Sequence, residues 1–553
     1  MRIVKKNLST VILLFIVLSL ALFLRLYSLS EAPNGFHIDE ASLGYNGYSL
    51  LLTGKDENNN KFPFYIDMFG DQRPSGYHYL TAIPISFLGL NEFSTRAPGA
   101  FFGVLTIIPF FFLAQTLFRN KKISFISTIL ISIAPWSLVL SRASAETIVA
   151  LFFIITGYAV LLSGILKKQK IYCLLGALIL SASFFFYHTP RVFVPLLFVT
   201  TILYLYPSWR KYSVSFKTYL FTSFLILSII AVSLVFLFKG GSGRFSQVNI
   251  FGFPEVRLVL EEQIREDGIM QSPVILTRTF HNKAINYSLA LISNYFDYFS
   301  GKFLFIQGGL PIWYKVPSMG LIYIVELPFI LIGIFYLLIS KDRYHRLPLL
   351  WLLIAPLVAA ITIDDIPNIQ RAIVMLPAIE LIAAYGLFMV INKFTGLRYK
   401  AVILAMSILM LANFSYFFHQ YFVQSQIHRN WYRYEGFSDM MSIVKENYSN
   451  YDKIIVSKSF GGIYPLILFY AKYNPEAYQK EGSPKDKSNM GFGKFFFADP
   501  ECPSIDKSPT FPKVGKIIYI DNGNCRDYES LKDKKYKYIT RKDGTKVFRL
   551  VYE

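Results

Sequence analysis

Apolar stretches recur along the chain at about 8–28, 97–118, 123–141, 147–166, 171–189, 192–207, 218–238, 320–340, 347–363, 371–391 and 401–418. Each approaches the ~20 residues that an α-helix needs to cross a bilayer, so the pattern predicts a polytopic α-helical membrane protein with about eleven transmembrane helices. The polar residues between them fall into short connections, two long loops at 29–96 and 239–319, and a tail from 419 to 553. Tyr77–Leu90 is apolar over only about fourteen residues. It is predicted to be a short helix lying in the membrane interface.

Beyond about 425 the pattern changes. Tyr434, Phe437, Met441, Val444 and Tyr448 step by three and four, which predicts an amphipathic helix. Lys453–Ser457 and Lys516–Ile520 read as strands, and Tyr538–Thr540 with Val547–Val551 read as a hairpin turning at Asp543-Gly544. Residues 474–512, rich in Pro, Lys, Ser and Gly, read as a loop. Two domains follow, a membrane part over 1–424 and a small α/β extracytoplasmic domain over 425–553.

Charge supplies the orientation. The N-terminus and the connections 119–122, 167–170, 208–217, 341–346 and 392–400 carry three Lys or Arg each and share one acid, Asp342. They fall on one side, which the positive-inside rule makes cytoplasmic. Counting Tyr77–Leu90 as a span would move every later basic connection outside. The opposite face then receives Arg142, Glu146, His188, Arg191, Asp364, Asp365 and Arg371, together with both long loops and the tail. The expected location is a cell membrane of plasma or inner type. The first apolar stretch lacks a clear small-x-small cleavage site and is expected to stay as an anchor.

Composition agrees with a membrane chain. Of 553 residues 53% are hydrophobic and 17% charged, and the mean hydropathy is +0.40. Soluble proteins carry about 25% charged residues. The net charge of +20 is accounted for by the basic connections, so no nucleic-acid partner is expected. Cys173 lies in a span, whereas Cys502 and Cys525 lie in the tail and are expected to pair in an oxidising compartment. There is no Walker loop, no dinucleotide fingerprint and no Cys/His metal motif.

The candidate chemistry gathers outside. Asp39-Glu40 precedes a stretch in which Tyr45, Tyr48 and Leu52 share a helical face, so Asp39 is expected to cap that helix. A carboxylate there is stabilised as an anion, the form a general base needs. Arg73 followed by Tyr77, Arg191 after His188, and Arg371 after Asp364-Asp365 would suit a phosphate, because a guanidinium grips its oxygens in a fork. Taken singly, each arginine also fits an interfacial anchor. Glu380, in mid-span, and Glu326 leave a different class open, a transporter or flippase of a lipid-linked sugar.

Together these residues resemble the GT-C glycosyltransferases, in particular the dolichyl-phosphate-mannose–protein mannosyltransferase and lipid A aminoarabinose transferase group. Phe36-His37-Ile38-Asp39-Glu40-Ala41 is similar to that family's acidic first-loop motif, and Arg73-Pro74-Ser75-Gly76-Tyr77 to its basic-Pro-x-x-Tyr segment. Asn91-Glu92-Phe93-Ser94-Thr95-Arg96-Ala97-Pro98 resembles the start of its second span. Ser141-Arg142-Ala143, Tyr187-His188-Thr189-Pro190-Arg191, and Gln370-Arg371 with Pro377 follow in the family's order. The tail lies outside the resemblance.

The resemblance implies inverting transfer of a sugar from a polyprenyl-phosphate donor to a hydroxyl of a protein, lipid or glycan. Asp39 would be the general base, with Glu40 its neighbour or substitute. Arg73 and Arg371 would hold the lipid phosphate, and Tyr77, His188 and Arg191 would line the site. No cofactor is demanded, and a divalent metal is compatible; Gln72 stands where aminoarabinose transferases tend to carry Glu. The Trp-Trp-Asp-Tyr-Gly motif of oligosaccharyltransferases is absent, which argues against en bloc transfer to Asn.

Overall fold

A computed structural model of the chain describes residues 2–211, 216–236, 249–252, 254–481, 491–506, 515–526 and 531–553. They form two compact units. One comprises Met1–Tyr27, Phe69–Pro74 and Gly99–Phe418, and the other comprises Ser28–Met68, Ser75–Pro98 and His419–Glu553. The unit that holds the tail thus also contains most of the first long loop. Its tail segment begins at His419, and the sequence pattern draws the boundary at 425.

The first unit is helical. A helix falls on each of the eleven apolar stretches, but their lengths differ. Among the described residues six helices are long and apolar enough to cross a membrane: Leu8–Leu26, Glu92–Phe118, Glu146–Lys167, Pro190–Pro207, Ile369–Ile391 and Gly396–Gln426. Lys121–Ile133 and Pro135–Ser141 make a seventh if the pair, bent by 50°, is one span. The bend sits at Pro135, which has no N–H to continue the ladder. Lys170–Phe185, Ile324–Ile339 and Leu347–Ala360 are apolar but shorter. This is the architecture of a multi-pass membrane protein.

Close helix contact is written into glycines. A Cβ on Gly386 would fall 1.9 Å from the Phe329 carbonyl, and one on Gly333 would fall 2.1 Å from that of Ile382. Only glycine lets Leu327–Ile339 and Leu376–Ile391 approach so closely, and this brings Glu326 and Glu380 together in a buried layer.

The second unit is built on a five-stranded sheet. Its strands are β1 (Lys453–Ser457), β2 (Phe495–Ala498), β3 (Ile517–Asn522), β4 (Lys535–Thr540) and β5 (Lys546–Tyr552). The order is β2-β1-β3-β5-β4; β1 runs parallel to β2 and β3, and β5 antiparallel to β3 and β4. The expected hairpin is β4–β5. The expected amphipathic helix is Phe437–Asn447, with Phe437, Met440, Met441 and Val444 buried.

Residues 474–512 are not a plain loop. Asn474 caps the helix Pro475–Lys480, whose first position takes a proline without losing a bond, and the apolar run Phe495–Ala498 forms β2. The rest of that stretch, 482–490 and 507–512, lies outside the described residues. One apolar core joins Phe36, Ala41 and Tyr45 of the loop to Phe437, Leu466, Phe469 and Phe548 of the tail.

A disulfide joins Cys502 to Cys525 across a sequence separation of 23. Closing a loop of that length restricts the unfolded chain by about 3 kcal/mol in the entropic account. The paired Cys502→Ser and Cys525→Ser change is expected to lower the stability of the sheet by that order. Hydrogen exchange of the β1 and β3 amides in the full-length protein would register it as faster opening.

Candidate active site

Asp39 and Glu40 enter the first turn of the helix Ile38–Thr53 and meet different surroundings. The cap is His37, not Asp39. Its Nδ1 accepts the Asp39 N–H at 3.2 Å, while the Glu40 Oε2 accepts the His37 N–H at 3.4 Å, closing a capping box. An accepting Nδ1 places the ring proton on Nε2, so the 3.7 Å approach of Nδ1 to the Asp39 Oδ2 is a contact with a neutral imidazole.

Glu40 is 3% exposed and locked between two guanidiniums. Arg96 donates from Nε to Oε1 at 2.9 Å and from Nη2 to Oε2 at 3.2 Å, and Arg433 donates to Oε2 at 2.6 Å. Burial alone would raise the Glu40 carboxyl; Arg96 and Arg433 outweigh it and hold the group below its ordinary 4.5. Arg96, fully buried, also donates to the carbonyls of Leu29, Ser30, Pro33 and Gly35. The chain reaches the acidic pair through this wrapping, fastened by the Phe36 N–H to the Arg433 carbonyl at 2.7 Å.

Asp39, by contrast, keeps 18% of its side chain exposed. Tyr434 lies beside it; burial and then the Asp39 charge push the Tyr434 phenol up, so its hydroxyl stays protonated as a donor. His37 packs on the same ring at 5.9 Å. A partly exposed carboxylate in the first turn of a helix, beside a protonated phenol and with its acidic neighbour already neutralised, is placed to accept a proton. Tyr77 is in this unit too. It is buried, and its hydroxyl donates to the Thr95 carbonyl at 3.0 Å.

The other arginines are held within the first unit. Arg73, in the strand Asp71–Pro74, donates from Nε to Asp71 at 3.1 Å and stands 3.9 Å from Glu146. Arg142 is spent on the carbonyls of Leu24 and Tyr27, both at 2.7 Å. Arg191 bonds the Phe184 carbonyl and meets the His188 Nδ1 at 3.0 Å. Arg371 opens the Ile369–Ile391 span behind the Asn368 cap, bonded to the Thr362 hydroxyl and to Asp364. Among the described residues, no group of three or more His, Cys, Asp or Glu side chains is arranged to hold a metal.

No protein-family model and no curated protein matches the chain. Solved structures do. ArnT from Cupriavidus metallidurans in the apo state superposes with a TM-score of 0.53 at 11% identity, over 99% of this chain and 98% of that one. The same protein bound to undecaprenyl phosphate gives 0.52 at 10% identity with the same coverage. The oligosaccharyltransferase AglB from Archaeoglobus fulgidus, in complex with an inhibitory peptide and a dolichol-phosphate, gives 0.50 at 14% identity over 84% of this chain. The chain shares the fold of these structures.

Coverage differs between these structures. The chain is matched end to end, tail included, by ArnT, but it spans only 64% of AglB. Arg96, Arg433, His37 and Tyr434 were not among the site residues read from the sequence. Arg96 stands in one of the quoted motifs. Tyr434 is read from the sequence only as a position of the amphipathic helix, and Arg433 carries no reading there.

Proposed function

We propose that the chain is an inverting membrane glycosyltransferase acting on the extracytoplasmic face. It moves a sugar from a polyprenyl-phosphate carrier to an acceptor hydroxyl. The observation that carries this reading is the divided acidic pair: Asp39 partly exposed in a helical first turn, Glu40 neutralised by Arg96 and Arg433. The likeness to structures that hold undecaprenyl phosphate or a dolichol-phosphate supports this class of donor.

In this reading Asp39 takes the proton from the acceptor hydroxyl as its oxygen bonds to the anomeric carbon, and the bond to the lipid phosphate breaks on the opposite face. Arg73 and Arg371 stabilise the departing phosphate, an electrostatic role. His188 and Arg191 line the donor side, and Tyr77 positions the Thr95 backbone next to Arg96. The acceptor is a protein, lipid or glycan hydroxyl. Purified protein given a panel of radiolabelled polyprenyl-phosphate sugars is expected to transfer or hydrolyse one of them; the absence of both transfer and hydrolysis with every one of them would remove the proposal.

One observation favours a second reading. Glu326 and Glu380 are fully buried and their carboxyls meet in the helix layer. A carrier of a lipid-linked sugar would use such a pair to couple transport to protons. The two readings part on one variant. Glu380→Gln is expected to leave sugar transfer within about threefold, well short of a lost general base. Abolished activity in Glu380→Gln beside an active Asp39→Asn would favour the carrier.

A further inference from the structure

The segment between the Phe216–Phe236 and Leu327–Ile339 helices carries a surface that transfer chemistry does not use. It contains the helices Glu255–Ile269, Val274–Phe280 and Lys283–Asp297. In the last, Ile285, Leu289, Ile292 and Phe296 step by four, three and four and form one stripe. The stripe is open: Leu289 is 58% and Phe296 64% exposed. Ile269, Met270, Val274, Ile275 and Phe280, just before it, are exposed as well. An apolar surface of this extent is normally covered.

Its neighbours indicate by what. On one flank stands the Glu255–Ile269 helix, whose exposed residues include two ion pairs, Arg257 with Glu261 and Arg265 with Glu262, alongside Leu258, Val259 and Ile264. The polar Asn286 bonds Gln263 of that helix, so the charged helix lies along the polar side of Lys283–Asp297. On another flank stands the apolar helix Leu347–Ala360. Tyr295 donates to the Leu353 carbonyl at 2.9 Å and Asn294 to that of Ala360 at 3.1 Å. Leu353 is itself 56% exposed, so the stripe continues an apolar surface of the helix bundle. The Lys283–Asp297 helix also walls a largely apolar cavity of about 330 Å³ with Ile250, Phe251 and Ile361.

We propose that Lys283–Asp297, with Val274–Phe280 before it, lies flat in the bilayer interface, its Ile285–Phe296 stripe covered by lipid acyl chains of the membrane that the chain spans. The charged helix Glu255–Ile269 stands on its water side. The form is that of an interfacial amphipathic helix, polar on one face and apolar on the other. The proposal concerns membrane docking alone and stands whether or not Asp39 is a base.

The test uses the full chain in phospholipid nanodiscs. Cys173 is the one free cysteine and is buried, and Cys502 and Cys525 are bonded, so a Cys173→Ser background accepts single nitroxide labels. Labels enter through Leu289→Cys, Ile292→Cys and Phe296→Cys, with Glu262→Cys and Arg265→Cys as water-side references. The three stripe labels are expected to collide more with oxygen than with a water-soluble nickel chelate, and the two references the reverse. Stripe labels as open to nickel as the references would overturn the proposal. So would stripe labels shielded from both probes, the signature of a protein cover such as a second copy. Equal elution of all five variants on size exclusion checks that the fold is kept.

Discussion

Asp39→Asn is expected to reduce sugar transfer by about 10²- to 10⁴-fold, the usual contribution of a positioned general base. The amide cannot take the proton of the acceptor hydroxyl, yet it matches the carboxylate in size. It also leaves the His37–Glu40 capping box and the Glu40–Arg96–Arg433 network in place. Folding should therefore survive, and binding of the lipid donor should change little. Initial rates at saturating donor, compared with the melting temperature of the same preparation, separate the two effects. Loss of activity with an unchanged melting temperature is the expected pattern. Activity within threefold of the parent would remove Asp39 from the reaction.

The contrast with Glu40 was hidden in the sequence for a physical reason. Adjacent carboxylates on a helix point about 100° apart, so one can face a cleft while the other faces a core. The sequence marks the pair but not which member is neutralised, because Arg433 lies 393 positions away from Glu40 and enters from the tail. The cap was displaced for a related reason. His37 caps rarely, but here its ring is held by Tyr434, another residue from the tail.

The apolar periods, in contrast, were legible. Helices fall on all eleven stretches because burial against lipid or neighbours fixes the pattern locally. Length was less so. Pro135 divides one stretch into two helices bent by 50°, a break that the hydropathy pattern does not show. In the tail, the strands with alternating or β-branched residues were found, whereas Phe495–Ala498 was hidden in a Pro- and Lys-rich setting. Its strand is specified by pairing alongside Lys453–Ser457, a contact that local composition does not encode.

Removing Glu40 is expected to destabilise its unit more than removing Arg433. Arg96 is fully buried, and Arg433 nearly so. With Glu40→Ala both guanidiniums lose their carboxylate inside the fold, and breaking a buried pair in this way costs about 3–5 kcal/mol. Arg433→Ala leaves the two-pronged Arg96–Glu40 pair intact, so its cost should be nearer the ~1–3 kcal/mol of one charged hydrogen bond. The sign with pH follows from the lowered Glu40 carboxyl. Its stabilising contribution is complete above the ordinary 4.5 and is lost as pH falls through the lower folded value. Unfolding of the parent followed from pH 7 to below 4.5 should therefore show an acid loss that Glu40→Ala lacks. Hydrogen exchange in the Ile38–Thr53 helix should rank the variants with Glu40→Ala least protected. A Glu40→Ala protein as stable as the parent would mean that the two guanidiniums find water or other acceptors, and the network would then have no hold on the placement of Asp39.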